Sequence, residues 1–477
     1  MRDFRAARLL AVLALVFPSS PAGTTETALH RVFPMSQAGS FPSVAVAADG
    51  TPHFLYPSPE DRLRHAWLDS GRWVDEPVES RTSFCESGSL AVDSAGRLHV
   101  AYSAFPEEAP GSTDLVYGVR DESGWTFSDV TEVNRGSSRA VVAIGSGDVP
   151  RILFVGDGEG SLVLAVREGD SWTFTDTGLS TGTNSHPIHL DLDGDDQAHI
   201  LYASGGQLLY ATDSSGAWQV TVLPESPNLP ADLVLDGAGK PHVVAGDSGI
   251  FAGDGLIHLW PGDEGWQSEE IIASGVRGRS RYVGGLAADD AGHLTVGFTE
   301  FRYVRGFPTA FARFAHFDGQ GWREGKGEAR ESGVVTSAAL GPDGSLQIAG
   351  GGRWLRHLRI AMPDLIAGWE GLTTGAHGSQ LQLTGELKIQ NLGACASRPT
   401  RISLYLSDDD LFDEMDEPVG KSVRIVRMPI GGGRRVSMAL SVPGDSIGKR
   451  LLAVIDPQKR SEDLDRPNNT AVSILSE

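Results

Sequence analysis

One pattern recurs seven times over residues 27–362, and it constrains the fold more than any other feature of the chain. Each copy runs as a short apolar segment, an Asp/Gly turn, a segment centred on a histidine and an aromatic residue, a gap, and a Gly-Trp pair. The clearest copy is Ser89-Leu90-Ala91-Val92-Asp93-Ser94-Ala95-Gly96-Arg97-Leu98-His99-Val100-Ala101-Tyr102, followed by Leu115-Val116-Tyr117 and Gly124-Trp125. The place of His99 is taken by His53, Arg151, His199, His242, Thr295 and Gln347, at intervals of 46, 52, 48, 43, 53 and 52 residues. Trp125 is matched by Trp73, Trp172, Trp218, Trp266 and Trp322. Each unit holds four short runs of period-2 alternation with turn residues between them, which is a four-stranded meander. Four-stranded repeats of about 40–50 residues specify propeller blades around a channel.

The seventh copy stops early, because no Gly-Trp strand follows Leu355–Ala361. His30-Arg31-Val32-Phe33-Pro34 lines up with Val220-Thr221-Val222-Leu223-Pro224, the last strand of the fourth copy. Residues 27–33 are therefore expected to supply the outer strand of the seventh blade and to close the ring, which removes an exposed sheet edge. With the first strand of each unit innermost, the Asp/Gly turns share one face. The loops between blades, and those joining second to third strands, share the other.

The form Asp-x-x-Gly-x-Pro-His-[Ile/Val]-x-Tyr, carried by Lys240-Pro241-His242-Val243 and Thr51-Pro52-His53-Phe54, resembles the repeats of bacterial exported propeller proteins. That resemblance implies a fold and leaves function open. After Met362 the pattern changes. Asn391-Leu392-Gly393 with Ser397, Tyr405-Leu406-Ser407 with Asp409, Asp413 and Asp416, Gly420, Ala453-Val454-Ile455-Asp456, Asp465 and Asn468-Asn469-Thr470 resemble the CARDB domain. The resemblance implies an Ig-like sandwich over 363–477 that serves as a spacer or adhesion module without catalytic residues. Arg466-Pro467 departs from the acidic approach usual before the Asn pair. Read from the residues alone, β-rich runs such as Arg401–Leu406 and Leu451–Ile455 between Gly/Pro/Asp turns also suit a sandwich. The expected fold class is all-β, a seven-bladed propeller over 24–362 closed by an N-terminal strand, then the sandwich.

Arg2, Arg5 and Arg8 precede a nine-residue apolar run, Leu9 to Phe17, and the small residues of 18–23. Residues 1–23 read as a secretory signal, since nine apolar residues are too few to span a bilayer. The protein is expected to be exported, to the periplasm or beyond the cell, with no transmembrane segment in the mature chain. Forty Lys and Arg against 62 Asp and Glu give a net charge of −22, which repels phosphate backbones and argues against nucleic-acid partners. Cys85 and Cys395 fall in different expected domains and read as unpaired thiols, with an interdomain bridge as the other reading.

The histidines are spread over four blades and cannot converge on one metal ion, so they read as buried, hydrogen-bonded structural groups. The tryptophans read as covers for the seams between blades. Asp191-Leu192-Asp193-Gly194-Asp195 resembles the calcium loop of integrin-type propeller repeats, with Asp196 in place of the turn glycine and His199 in place of the closing Asp. Six carboxylates crowd the nine residues from Asp408 to Asp416, and Asp409, Asp413 and Asp416 are the candidate ligands there. A plain acidic turn is the competing reading of both stretches, with Ca²⁺ the metal that oxygen ligands would take.

The sharpest functional signal is a basic, aromatic stretch in an acidic chain. Arg277, Arg279, Arg281 and Tyr282 lie between the fifth and sixth units, and Phe301, Arg302, Tyr303, Arg305 and Phe307 lie within the sixth. The strand order puts both on one face, as a rim suited to an acidic glycan or a carboxylate patch on a surface protein. The competing reading pairs these arginines with acidic neighbours such as Glu300. A sialidase- or lyase-like enzyme using Arg279, Arg302 and Tyr303 is the runner-up. Against it, the chain has no S-x-D-x-G-x-x-W box, Gly-x-Ser-x-Gly elbow or His-Glu-x-x-His pair. Paired carboxylates for glycoside hydrolysis stay open, because their separation needs coordinates.

Overall fold

The computed structural model describes residues 26–476 except for 36–40, 61, 79–87, 105–112, 134–139, 157–158, 183–187, 228–230, 247–254, 274–278, 305–306, 326–328, 331–333 and 461–462. Among the described residues no helix is long and apolar enough to cross a membrane. Among the described residues the strands form nine antiparallel sheets. The first, Ser43–Val46, Pro52–Pro57, Leu63–Asp69 and Arg72–Pro77, keeps its strands in chain order, and five more meanders repeat that order. The seventh takes Val334–Leu340, Leu346–Gly351 and Trp354–Ala361 from the end of the repeats and Glu26–Pro34 from their start, with His30 opposite His357. The strand exchange expected for residues 27–33 is there.

The first strand of each sheet contacts the first strand of the next, and Val334–Leu340 returns to Ser43–Val46, so the seven sheets form a closed, β-propeller-like ring. These inner strands are edges of their own sheets, with N–H groups that a sheet ladder cannot satisfy. A side chain from the preceding sheet accepts one of them at five seams among the described residues. The N–H of Val142 donates to Ser89 Oγ at 3.1 Å, Leu235 to Asp191 Oδ2 at 2.9 Å, Leu286 to Asp232 Oδ2 at 2.7 Å, Val335 to Thr299 Oγ1 at 2.7 Å, and Val44 to Ser337 Oγ at 3.2 Å.

Further out, at five seams among the described residues, a tryptophan at the fourth strand packs on a third-strand ring of the preceding sheet, Trp266 on Tyr210 at 4.9 Å being one. Trp218 follows a sheet whose third strand, Ser161–Glu168, carries no ring. Trp73 meets His357 at 5.3 Å, Trp125 meets His65 at 5.7 Å, Trp172 meets Tyr117 at 5.2 Å and Trp322 meets His258 at 5.3 Å. The indole N–H of Trp125 donates to Glu76 Oε1, and that of Trp322 to Glu269 Oε1, both at 2.9 Å. A flat ring with one polar tip thus covers the seam and satisfies a carboxylate in it.

The last two sheets share one apolar core. Leu365–His377, Gln380–Asn391 and Gly433–Pro443 form one, and Glu417–Ile425, Thr400–Ser407, Arg450–Ile455 and Thr470–Ile474 the other. Leu383, Leu387 and Ile389 from the first meet Ile402, Leu404, Leu451 and Ala453 from the second. The first three alternate with outward polar residues along their strand, whereas in Arg450–Ile455 the alternate positions Leu452 and Val454 are also apolar and buried. Asn391 organises the corner at the start of this sandwich. Its Nδ2 donates to the carbonyl oxygens of Cys395, Met428 and Pro429, and its Oδ1 accepts from the N–H groups of Asp364 and Gly393.

Sandwich and ring meet at the sixth sheet, where no tryptophan packs on the third-strand His316 among the described residues. Instead His316 Nε2 donates to the Leu464 carbonyl at 2.7 Å, while the Thr295 hydroxyl donates to Nδ1 at 2.8 Å. Arg323 stands opposite His316, where Glu76 and Glu269 stand opposite His65 and His258. Its Nε lies 2.7 Å from the fully buried Asp318, which Arg466 of the sandwich also approaches, at 3.7 Å. Pro467 packs against Gly319. Arg466-Pro467 therefore lies where the sandwich docks on the ring.

Candidate functional site

The sixth sheet is the longest-stranded of the ring, with Arg279–Ala288, Leu294–Val304 and Phe307–Phe317 at 10, 11 and 11 residues. A β-bulge shifts its register between Val283 and Gly285. Gly284 is required there, because a Cβ would lie 2.5 Å from the Val335 carbonyl oxygen of the adjoining strand. Beyond the bulge the paired strands run on past the ring core, setting Arg281 opposite Glu300 and Arg279 opposite Arg302.

Glu300 is fully buried. Arg281 places Nη2 3.1 Å and Nε 3.2 Å from Glu300 Oε2, and Arg302 donates from Nε to Oε1. Two guanidinium groups thus share one carboxylate, and the Arg302 guanidinium also lies 4.6 Å from the Phe311 ring centre. Tyr282 and Phe301 meet edge to face at 5.6 Å. Arg281 is itself buried and forms part of the sheet interior, so the pairing with Glu300 weighed from the sequence is realised at this position. The register also places Tyr303 opposite Pro308 and Val304 opposite Phe307. Arg277 and Arg305 lie outside the described residues.

The shared carboxylate gives an expected result. Replacing Glu300 by Ala removes the buried carboxylate that faces the buried Arg281 and should lower the unfolding free energy by about 3–5 kcal/mol, whereas Arg302→Ala, at a half-buried partner, should cost about 1 kcal/mol. Urea unfolding of the two variants checks the order, and equal losses would contradict a shared, buried carboxylate.

The acidic candidates are not brought together. Among the described residues no three His, Cys, Asp or Glu side chains converge in a way that could hold a metal ion. Asp191 turns toward the next sheet, accepting from the N–H groups of Leu192 and Leu235, and burial raises its carboxyl to about 6. Asp193 accepts from the N–H groups of Asp195 and Gln197 inside its own turn. Asp195 is exposed. Asp196 takes the left-handed conformation a glycine would normally take, with φ of 62°, and its Oδ1 accepts from the Ser146 N–H of the preceding turn at 2.6 Å. The stretch that resembles a calcium loop ties turn to turn and sheet to sheet. In the sandwich, Asp409 and Asp413 cap their own turns through the N–H groups of Leu411 and Met415, and Asp416 accepts from Asp413 N–H. Lys449 and Arg450 pair with Asp408 and Asp410. Cys395 is fully buried beside Ala361 and Ala394, and Cys85 lies outside the described residues.

The repeated histidines form lines that sequence reasoning took one residue at a time. In the fifth sheet Asp236, His242, His258 and Glu269 follow each other at 3.3, 2.9 and 2.9 Å. In the first, His53 Nδ1 lies 3.0 Å from His65 Nε2, and His65 Nδ1 lies 3.1 Å from Glu76 Oε1. Burial lowers His258 to about 3 and His53 to about 4, helped in each case by the neighbouring histidine. Burial acts to raise Glu76, but bonds from His65 and Arg120 outweigh it and bring its carboxyl to about 2. Each line runs between packed sheets with its polar atoms directed at one another. A structural role therefore suits them better than proton transfer to a substrate.

No family model matches the chain, and no curated protein matches it. Solved structures do resemble it. One is a polysaccharide lyase, an ulvan lyase bound to -[GlcA(1-4)Rha3S]-, at 12 % identity and a TM-score of 0.49, covering 70 % of this chain and 94 % of that one. Another is a fungal alcohol oxidase of the AA5 family in complex with copper, at 13 % identity and a TM-score of 0.48, covering 94 % and 98 %. A third is the Aleuria aurantia lectin in complex with Fucalpha1-6GlcNAc, at 14 % identity and a TM-score of 0.43, covering 62 % and 97 %. The likeness is one of fold alone.

Proposed function

We propose that this is an exported, non-catalytic recognition protein that holds an acidic glycan on the outer end of its sixth sheet. On this reading residues 1–23 are a leader, 24–362 a seven-bladed propeller, and 363–477 an Ig-like, CARDB-like sandwich that serves as a spacer. The observation that supports it is the register that sets Arg279 opposite Arg302, one step beyond the Arg281–Glu300–Arg302 cluster. Like charges directly opposite on neighbouring strands cost stability, and the cost is kept in a chain whose net charge is −22. A carboxylate or sulfate between the two would turn repulsion into charge-assisted hydrogen bonds. Tyr282 and Phe301, at the alternate positions, meet on the opposite face of the same sheet, and the ring on the arginine face is that of Phe311, 4.6 Å from the Arg302 guanidinium.

The test is a screen against acidic and neutral glycans, with the Arg302→Ala variant alongside and its fold checked by circular dichroism. Acidic glycans should bind and be recovered intact. Binding should weaken at least tenfold in the variant and weaken further with added salt. A glycan recovered in pieces would replace recognition with a lyase- or sialidase-like activity. Absence of binding to any glycan would sink the reading and turn the search to protein partners.

A further inference from the structure

A second basic surface lies on the sandwich. The outward face of its four-stranded sheet carries a groove of about 410 Å³, with Arg401, Arg424 and Arg460 among its lining residues. Arg401 and Arg424 stand directly opposite each other on neighbouring antiparallel strands. Both are exposed, while Ile402 and Ile425 next to them point into the core. Arg401 Nη1 donates to Ser422 Oγ at 2.8 Å, which fixes one guanidinium fork at the groove wall. Among the described residues, neither Arg424 nor Arg460 has a carboxylate within ion-pair distance. The one acidic side chain of the lining, Asp456, is buried, with its Oδ2 3.3 Å from Arg466 Nη1. Three guanidinium groups therefore border a concave site whose only carboxylate already faces a buried arginine.

Elsewhere on this sandwich basic and acidic groups alternate, as in the Lys449–Asp408, Arg450–Asp410 and Arg435–Glu370 pairs. Solvation and stability alone would favour the same arrangement at Arg401 and Arg424, since directly opposed like charges are unfavourable. The rest of the lining shows what kind of anion fits. Ser403, Ser422 and Gln458 offer hydroxyls and an amide, and Pro399 and Pro457 offer small apolar faces. No deep apolar pocket is present in this lining for the aromatic or aliphatic anchor that dominates most protein interfaces. Short polar groups around guanidinium forks match a ligand that is itself hydroxylated and charged.

We infer that this groove binds an oligosaccharide bearing carboxylate or sulfate groups. It lies on a different sheet from the outer end of the sixth sheet, and it stands whether or not that end binds a ligand.

The experiment is titration calorimetry of the full chain with an oligogalacturonate, a heparin-derived octasaccharide, a neutral dextran oligomer and a poly-glutamate peptide. Wild type, Arg401→Ala/Arg424→Ala, Arg302→Ala and Arg435→Ala, the last at a paired arginine on the other sheet of the sandwich, are compared. At least one acidic sugar should bind, at least tenfold more weakly to the double variant and within twofold of wild type to Arg435→Ala. The double variant should melt no lower than wild type, because it removes a repulsion, so a lost signal cannot be ascribed to unfolding. Four results would overturn the inference: no acidic sugar binds, the double variant binds as wild type does, dextran binds equally well, or poly-glutamate binds more tightly than any sugar. Loss of binding in Arg302→Ala alone would locate the sugar at the sixth sheet and leave this groove without a ligand.

Discussion

Taken from pH 7 to pH 4, the ring is expected to unfold. The cause is the set of histidines buried between its sheets. His357 and His258 are lowered to about 3 and His53 to about 4, in each case first by burial and then by a neighbouring histidine. An unfolded chain takes up these protons near pH 6.5, but the folded ring does so only near pH 3–4. Between those limits the unfolded state binds more protons, so stability falls as the pH falls. Each shift of roughly 2.5–3.5 units corresponds to about 3–5 kcal/mol, and the three together to on the order of 10 kcal/mol, comparable with the whole stability of an ordinary domain. Asp191 opposes this. Its carboxyl is raised to about 6, so it binds a proton in the folded state first and contributes stability that is present below about pH 4 and lost as the pH rises through 6. That contribution is about 3 kcal/mol, too small to balance the histidines. Because Trp73 and Trp322 pack on His357 and His258, their fluorescence should report the loss. Far-UV circular dichroism and tryptophan emission recorded against pH should show a transition between pH 5 and 4, moved to lower pH in His258→Gln. Native emission retained at pH 4 would refute the account.

The same residues show how much of the fold was legible. The ring could be read because a repeated unit states its rule many times. The Trp positions, the turn glycines and the orphan strand at 27–33 each reinforce the others, and one exchanged strand is the simplest way to complete seven sheets. The site was less legible because it depends on register. Arg281 reads as a rim residue in sequence, yet it sits inside the sheet, because the bulge near Gly284 decides which residues of the two strands face each other. A shift of one residue exchanges the two faces of a strand, and nothing local to Arg281 signals it. Asp191 was open to two readings for a related reason. Its spacing suggests an ion, but its carboxylate takes an N–H from Leu235 in the next sheet, a contact visible only once the sheets are side by side. The histidine lines had a usable signal that went unread, since His65, Tyr117, Tyr210, His258, His316 and His357 recur on third strands as the first histidines do on second strands. Arg424 and Arg460 carried no comparable signal, because two surface arginines far apart in the chain become a groove only when a sheet and its following loop bring them together.

Replacing Arg466 by Met should separate the unfolding of the sandwich from that of the ring. Arg466 is buried where the two meet, 3.7 Å from Asp318 and 3.3 Å from Asp456. Burial holds the neighbouring Asp463 carboxyl well above its ordinary value, with the Arg466 charge acting to lower it. Methionine fills much of the same volume but leaves Asp456 buried without this partner, while Asp318 keeps its pair with Arg323. Removing one partner of a buried pair costs about 3–5 kcal/mol, because the other charge stays out of water. That loss falls on the docking itself, which also supplies the Leu464 carbonyl to His316 and Pro467 to the space over Gly319. Wild type should therefore melt in one calorimetric transition and Arg466→Met in two, with the ring transition moved down. Lys459→Ala is the comparison, since Lys459 bonds Gln320 across the same junction at 2.8 Å but is exposed, and its loss should cost within about 0.5 kcal/mol and keep one transition. Two transitions already present in wild type, or a single unchanged transition in Arg466→Met, would mean that the buried charges at this junction do not hold sandwich and ring together.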